Sequence, residues 1–164
     1  MAFAFVFLAL VVIWLWNSVC VLRPDEHGVV TRLGAIKPNV LQPGLRLVLW
    51  PVETLYRVST LDQTLEVQAT DIETADKGFV SLRINIRFRV TDAYAALTEV
   101  ADYRARLGEF SEYYLRQHVA KCEAQEAREG LVRLTRQVRD QMFPKAQSWG
   151  ILIEDFKVEA IKDS

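Results

Sequence analysis

Residues 79–90 read Phe-Val-Ser-Leu-Arg-Ile-Asn-Ile-Arg-Phe-Arg-Val, and their alternation decides the fold class. Val80, Leu82, Ile84, Ile86, Phe88 and Val90 fall on one side of an extended chain. Ser81, Arg83, Asn85, Arg87 and Arg89 fall on the other. An unbroken period of two demands a long strand with one dry face and one wet face. Upstream, Asp76-Lys77-Gly78 is turn chemistry, so the run 64–73 is expected to lie antiparallel beside this strand. Runs at 27–33, 45–50 and 54–60 are further strand candidates. Gln42-Pro43-Gly44 suits a type II turn, in which proline presets φ and glycine supplies a positive one.

Downstream of Val90 the period changes to 3.6. Asp92 is a candidate N-cap for a short helix through Val100. A longer helix is expected from Asp102 to Arg128, with Leu107, Phe110, Tyr114, Val119 and Cys122 as its core stripe. Gly130 interrupts it. Leu131, Leu134, Val138 and Met142 then restart the stripe, with Glu129 and Arg133 as an i,i+4 pair on the wet side. Pro144 inside this pattern predicts a kink or a new helix start. Gly150 stands where a C′ glycine is expected, and 151–161 reads as a closing strand. The order of elements is that of an α+β domain with an antiparallel sheet and packed helices.

The first residues are of another kind. Ala2 to Leu22 reads AFAFVFLALVVIWLWNSVCVL, about 20 residues at ~1.5 Å each, enough for a transmembrane helix. No lysine or arginine precedes it and no small-x-small site follows, so a retained anchor over 1–22 is expected rather than a cleaved leader. Trp14 and Trp16 suit the interfacial end of such an anchor. Arg23, Arg32, Lys37 and Arg46 follow the span. The positive-inside rule therefore places the domain over 23–164 on the cytoplasmic side of a single-pass membrane protein, at the plasma membrane or a bacterial inner membrane.

The chain has 164 residues and a net charge of −1, which argues against nucleic acid as a partner. Its two cysteines, Cys20 and Cys122, make neither a disulfide framework nor a metal-ligand spacing. Cys20 reads as an apolar filler, with acylation as the sharper alternative. His27 and His118 have no local carboxylate or cysteine partners, and no serine lies in a nucleophile elbow. No catalytic, cofactor-binding or metal site is expected. Glu154 and Asp155, adjacent on a strand, are expected to point to opposite faces and share no site. The constellation to weigh is Arg83, Arg87 and Arg89. It is either a contact for phospholipid headgroups or an acidic neighbouring subunit, or simply the outer side of a half-buried strand.

Taken in order, four segments resemble the band 7 (SPFH) superfamily of stomatins, prohibitins, flotillins and bacterial protease modulators. They are VLRPDEHGVVTRLGAI after the apolar run, QPGLRLVLWPVETLYRV, ETADKGFVSLRINIRFRVTDAYAAL and AREGLVRLTRQVRDQMFPKAQSWGILIEDFKVEAIKD. The third carries the family's signature through Thr74, Asp76, Val80, Phe88, Arg89, Val90, Asp92 and Ala95. The fourth carries its closing pattern through Arg128, Glu129, Leu131, Trp149, Gly150 and Ile151. RVSTLDQTLEV keeps a looser version of the pattern expected after Tyr56. The resemblance implies an SPFH domain over 23–164, with a β-rich part over 23–92 and a helical part with a closing strand over 93–164. Family members usually continue into a coiled coil, so a chain ending at Ser164 is read as a short form or as a portion of a longer protein.

The resemblance also implies the work: a non-enzymatic scaffold that forms homo- or hetero-oligomers on the lipid bilayer, organises membrane microdomains and binds or regulates membrane protein clients such as proteases. A monomeric, membrane-tethered lipid- or ligand-binding module is the alternative, and particle size separates the two. A peptidase is a third reading, for which the sequence offers no nucleophile–base pair.

Overall fold

The computed structural model describes residues 13–14, 16–100 and 102–161. The chain divides into two units, one ending at Thr60 and the other beginning at Leu61.

In the first unit, β1 (Val19–Leu22) pairs antiparallel with β4 (Gly44–Leu47) as a two-stranded ribbon. A separate sheet has the order β3-β2-β5, built from β2 (Glu26–Arg32), β3 (Ala35–Leu41) and β5 (Glu53–Ser59). Leu33 and Gly34, both at positive φ, form the two-residue link between β2 and β3 that a twisted hairpin requires. Pro38 sits inside β3, which is an edge strand, where a bulge sets residues 37–39 against Val30. Proline is tolerated there because no second strand asks for its missing N–H. Gly44 has the positive φ expected of the glycine after Pro43. Among the described residues, Leu22, Val29, Val30, Val48 and Val58 are the unit's buried apolar side chains.

The anchor expected over 1–22 is corrected at its end. Val19–Leu22 are a strand, because their backbone groups are taken by the ladder to Gly44–Leu47 and because Val-Cys-Val favours extended backbone. The backbone is helical at 16–18, where the Val48 N–H donates to the Ser18 carbonyl. Residues 1–12, where most of the expected span falls, lie outside the described residues. Among those described, no helix is long and apolar enough to cross a membrane.

One buried acid marks the first unit. Glu53 is only 8% exposed and accepts from the Lys37 ammonium and from the Leu49 N–H. The Lys37 bond first, and then the Leu49 N–H, hold its carboxyl below the ordinary value of 4.5, against burial, which raises it. A depressed folded pKa gives stability that is present above 4.5 and lost as pH falls through the lower folded value. Lys37→Met should therefore destabilise the unit by about 1 kcal/mol at pH 7, a modest figure because Lys37 is partly solvated. In urea titrations at stepped pH, the gap to the wild type should shrink below pH 4.5. A gap that does not change with pH would refute the pairing.

The second unit has two layers: a sheet with one wet face, and helices packed on its dry face. Its sheet has the order β6-β7-β8, all antiparallel, from β6 (Gln63–Glu73), β7 (Phe79–Val90) and β8 (Ile151–Ala160). The helices are α1 (Ala93–Thr98), α2 (Tyr103–Val119), α3 (Ala124–Glu129) and α4 (Leu131–Ser148). All six dry-face side chains of β7 are buried, each worth about 1.5–3 kcal/mol of burial. Val80, Leu82, Ile84, Ile86 and Phe88 share one core with Leu107, Leu115, Val119, Leu134, Val138 and Met142 from α2 and α4. Asp92 caps α1 by accepting from the N–H groups of Tyr94 and Ala95.

Four helical expectations change. The helix expected from Asp102 to Arg128 breaks between α2 and α3. There the hairpin before β7 takes its backbone groups: the Ala75 N–H donates to the Cys122 carbonyl, and Asp76 accepts from the Ala124 N–H. The buried stripe of α2 is Leu107, Ser111, Leu115 and Val119, with Phe110 and Tyr114 only partly buried beside it. Ser111 enters the core because its hydroxyl bonds the Leu107 carbonyl one turn back. Glu129 and Arg133 do not pair across the Gly130 break. Arg133 reaches Glu126 at 3.0 Å instead, and Glu129 accepts from Gln125. Pro144 starts no new helix, since α4 runs on to Ser148.

Candidate functional site

The polar face of the β6-β7-β8 sheet gathers the arginines singled out from the sequence. The regular period of β7 puts Arg83, Arg87 and Arg89 on one side, and the register supplies each with a carboxylate from a neighbouring strand. Arg83 Nε lies 3.0 Å from Glu66 Oε1 on β6, without the alignment of a hydrogen bond. Arg87 lies 3.9 Å from Asp155, which Lys157 also approaches at 3.2 Å. Arg89 lies 3.5 Å from Glu154. All six partners are partly solvated, so each pair contributes about 1 kcal/mol or less.

Glu154 and Asp155 do share this face. The register between β7 and β8 slips between Arg87 and Phe88, so a bulge carries both acids to the wet side. The trace of it is in the sequence: Ile151 and Ile153 are buried in step, then Phe156 and Val158 one residue late. A shallow open hollow of about 240 Å³ on this face is lined by Thr64, Asn85, Arg87, Asp155, Lys157 and Glu159. The face is thus a lattice of alternating charges rather than a bare cationic patch. It is suited to a polar surface of mixed sign.

The residues that carried the resemblance converge elsewhere, at two clasps. In the first, the Thr74 hydroxyl donates to Asp76 and lies 3.0 Å from the Gly78 carbonyl. The Thr74 bond first, and then the Ala124 N–H, hold the Asp76 carboxyl below its usual range, against desolvation, which raises it. In the second, the Gly150 carbonyl accepts from the N–H groups of Thr91 and Asp92 and from the Thr91 hydroxyl. Trp149 meets Phe110 edge-on at 5.4 Å. These contacts lock strands to helices and present no reacting group. Among the described residues, no group of three or more histidines, cysteines or acids could hold a metal.

Trp14 and Trp16 fall in the first unit. The Trp14 indole donates to the Trp50 carbonyl at 2.6 Å, while Trp16 and Trp50 stand largely exposed. No local pattern in the sequence ties Trp50 to this group. Cys20 and Cys122 are free and half-buried.

Residues 20–164 match the family described as SPFH domain / Band 7. A stomatin homolog of Pyrococcus horikoshii is 24% identical over 159 residues, covering 96% of this chain and 59% of the relative. An uncharacterized protein of Archaeoglobus fulgidus is 24% identical over 155 residues, covering 94% and 62%. Another, from Methanothermobacter thermautotrophicus, is 24% identical over 147 residues, covering 90% and 46%. The chain spans less than two thirds of the length of each of these relatives. The match takes in every strand and helix from β1 onward, with Thr74, Asp76 and Gly150 seated in the clasps that hold the second unit together, and the chain belongs to the SPFH domain / Band 7 family.

Proposed function

We propose that this protein is a membrane-anchored, oligomerising scaffold of the stomatin type that binds or regulates membrane protein partners such as proteases. The observation that carries the reading is the family match over both units, from residue 20 to residue 164. The apolar run before Val19 supplies the attachment to a bilayer. β6 and β8 have no strand on their outer sides among the described residues, which leaves backbone groups for lateral contacts between copies. The mixed-charge face of Arg83, Arg87 and Arg89 offers a second contact, to headgroups or to a neighbouring subunit. Many weak contacts between copies held at one membrane multiply into avid assembly.

Mass photometry of protein extracted gently from membranes should find particles of many copies. Single copies only would overturn the reading and favour the lipid- or ligand-binding module. An Arg83→Ser/Arg87→Ser/Arg89→Ser variant should keep its fold, since each pair contributes little, yet assemble or bind vesicles more weakly. Unchanged assembly and unchanged vesicle binding would remove this face from the proposal.

A further inference from the structure

We propose that the outer edge of β6 is a docking site for an extended segment of a partner protein, which adds to the three-stranded sheet as a fourth strand. The inference rests on the partner binding proposed above and assigns one of the two sheet edges to it.

The ladder fixes which backbone groups are on offer. The Ile161 N–H donates to the Ser81 carbonyl, so in the antiparallel register Ser81, Arg83 and Asn85 turn their backbone groups toward β8. Leu82, Ile84 and Ile86 turn theirs toward β6, to Ala69, Val67 and Leu65. The N–H and C=O groups of Thr64, Glu66 and Gln68 therefore point away from the sheet, and all three residues are exposed. On β8 the outward N–H of Val158 is already given to the Thr135 hydroxyl of α4. Of the two edges, β6 is the open one.

α2 runs along this edge and bounds it. Arg104 donates to the Gln63 side chain at 2.9 Å at one end, and Arg116 donates to the Thr70 carbonyl at 3.3 Å at the other. Between them Gly108 faces Val67 and Leu65, both only partly buried. From Thr64 to Gln68 the berth is roughly 17 Å of strand.

Charge selects the occupant. Arg104 has a neutral partner in Gln63 and no ion pair among the described residues. Glu66, on the wet side, keeps nearly half of its side chain exposed beside Arg83. A complementary segment brings apolar residues alongside Leu65 and Val67, a cation alongside Glu66 and a carboxylate to Arg104. A second copy is a poor match. Two β6 edges in full antiparallel overlap would set Glu66 against its own counterpart and draw each Arg104 toward the other copy's Arg116, and like charges so placed repel. In strand addition the main-chain bonds supply affinity, and the alternating side chains supply selectivity.

The test titrates the full chain, extracted gently from membranes, against a fluorescein-labelled peptide, Glu-Thr-Val-Lys-Val-Thr-Glu, and follows fluorescence anisotropy. The sequence is palindromic, so in either direction its valines lie alongside Leu65 and Val67, its lysine meets Glu66 and one glutamate reaches Arg104. Binding should saturate. N-methylation should weaken it about tenfold at one alternate set of nitrogens and leave it intact at the other. The sensitive set is the lysine and threonines for an antiparallel segment, and the valines for a parallel one. Gln68→Pro removes an outward N–H without touching the ladder to β7, and should weaken binding to a similar degree with unchanged circular dichroism. Arg104→Glu should weaken it severalfold, and a peptide with lysines in place of its glutamates should restore it. Equal affinity for both methylated peptides and the unmodified one would overturn the inference, as would no binding at all. If particles of many copies persist in mass photometry under either result, the scaffold stands. Single copies that bind no peptide would take both down. Particles that the peptide breaks apart would assign the edge to a second copy and overturn the inference.

Discussion

Gly150→Ala is expected to lower the stability of the second unit by about 4 kcal/mol, from left-handed strain and a forced backbone shift together. Gly150 has φ +68°, a conformation that a side chain resists. A Cβ there would stand 2.5 Å from the Asp92 carbonyl oxygen and 2.8 Å from Asp92 Cβ. The obstacle is backbone, and it is the cap of α1, so it cannot swing aside. The same glycine's carbonyl holds the N–H groups of Thr91 and Asp92, and any retreat breaks those bonds. Gly34 is the control. It also has a positive φ, but nothing lies within 4 Å of its missing Cβ, so Gly34→Ala should cost about 1 kcal/mol of strain alone. Thermal unfolding of the two variants by circular dichroism checks the difference. Equal losses would show that the Asp92 contact does not matter.

Phe88→Ala should cost a similar amount, about 4 kcal/mol, through lost burial and the cavity left behind. The ring is fully buried and meets Tyr103 edge-on at 6.2 Å. β7 is the central strand, and neither neighbour is free to collapse into the space. Domains of this size hold about 5–15 kcal/mol in all, so the variant should stand near the threshold of unfolding. Phe88→Leu keeps most of the volume and should cost under about 1.5 kcal/mol. Urea midpoints measure both, and equal midpoints would mean that the site relaxes without a cavity.

β7 was legible in full because strict alternation leaves no second reading, and the antiparallel partner over 64–73 followed from the turn between them. α4 was legible for the same reason at the helical period, through Leu134, Val138 and Met142. β3 is not legible: Lys37-Pro38-Asn39 has the composition of a turn, and only its place at a sheet edge lets it be a strand. The break between α2 and α3 carries no glycine or proline. It is imposed by Ala75 and Asp76, distant in sequence, so no local pattern announces it. The arginines were readable as a face, but their partners were not, because register assigns Glu66, Glu154 and Asp155 and a sequence shows no register. The bulge at Glu154 could have been found, since the apolar spacing skips a beat between Ile153 and Phe156.

The pairing of β1 with β4 has a mechanical consequence. A tether usually needs slack between the point of attachment and the folded body, and slack lets the body swing. Here the helical residues 16–18 run straight into a hydrogen-bonded ladder at Val19, with no slack between them. A pull applied at Ser18 would load the β1–β4 ladder in shear, across several bonds at once.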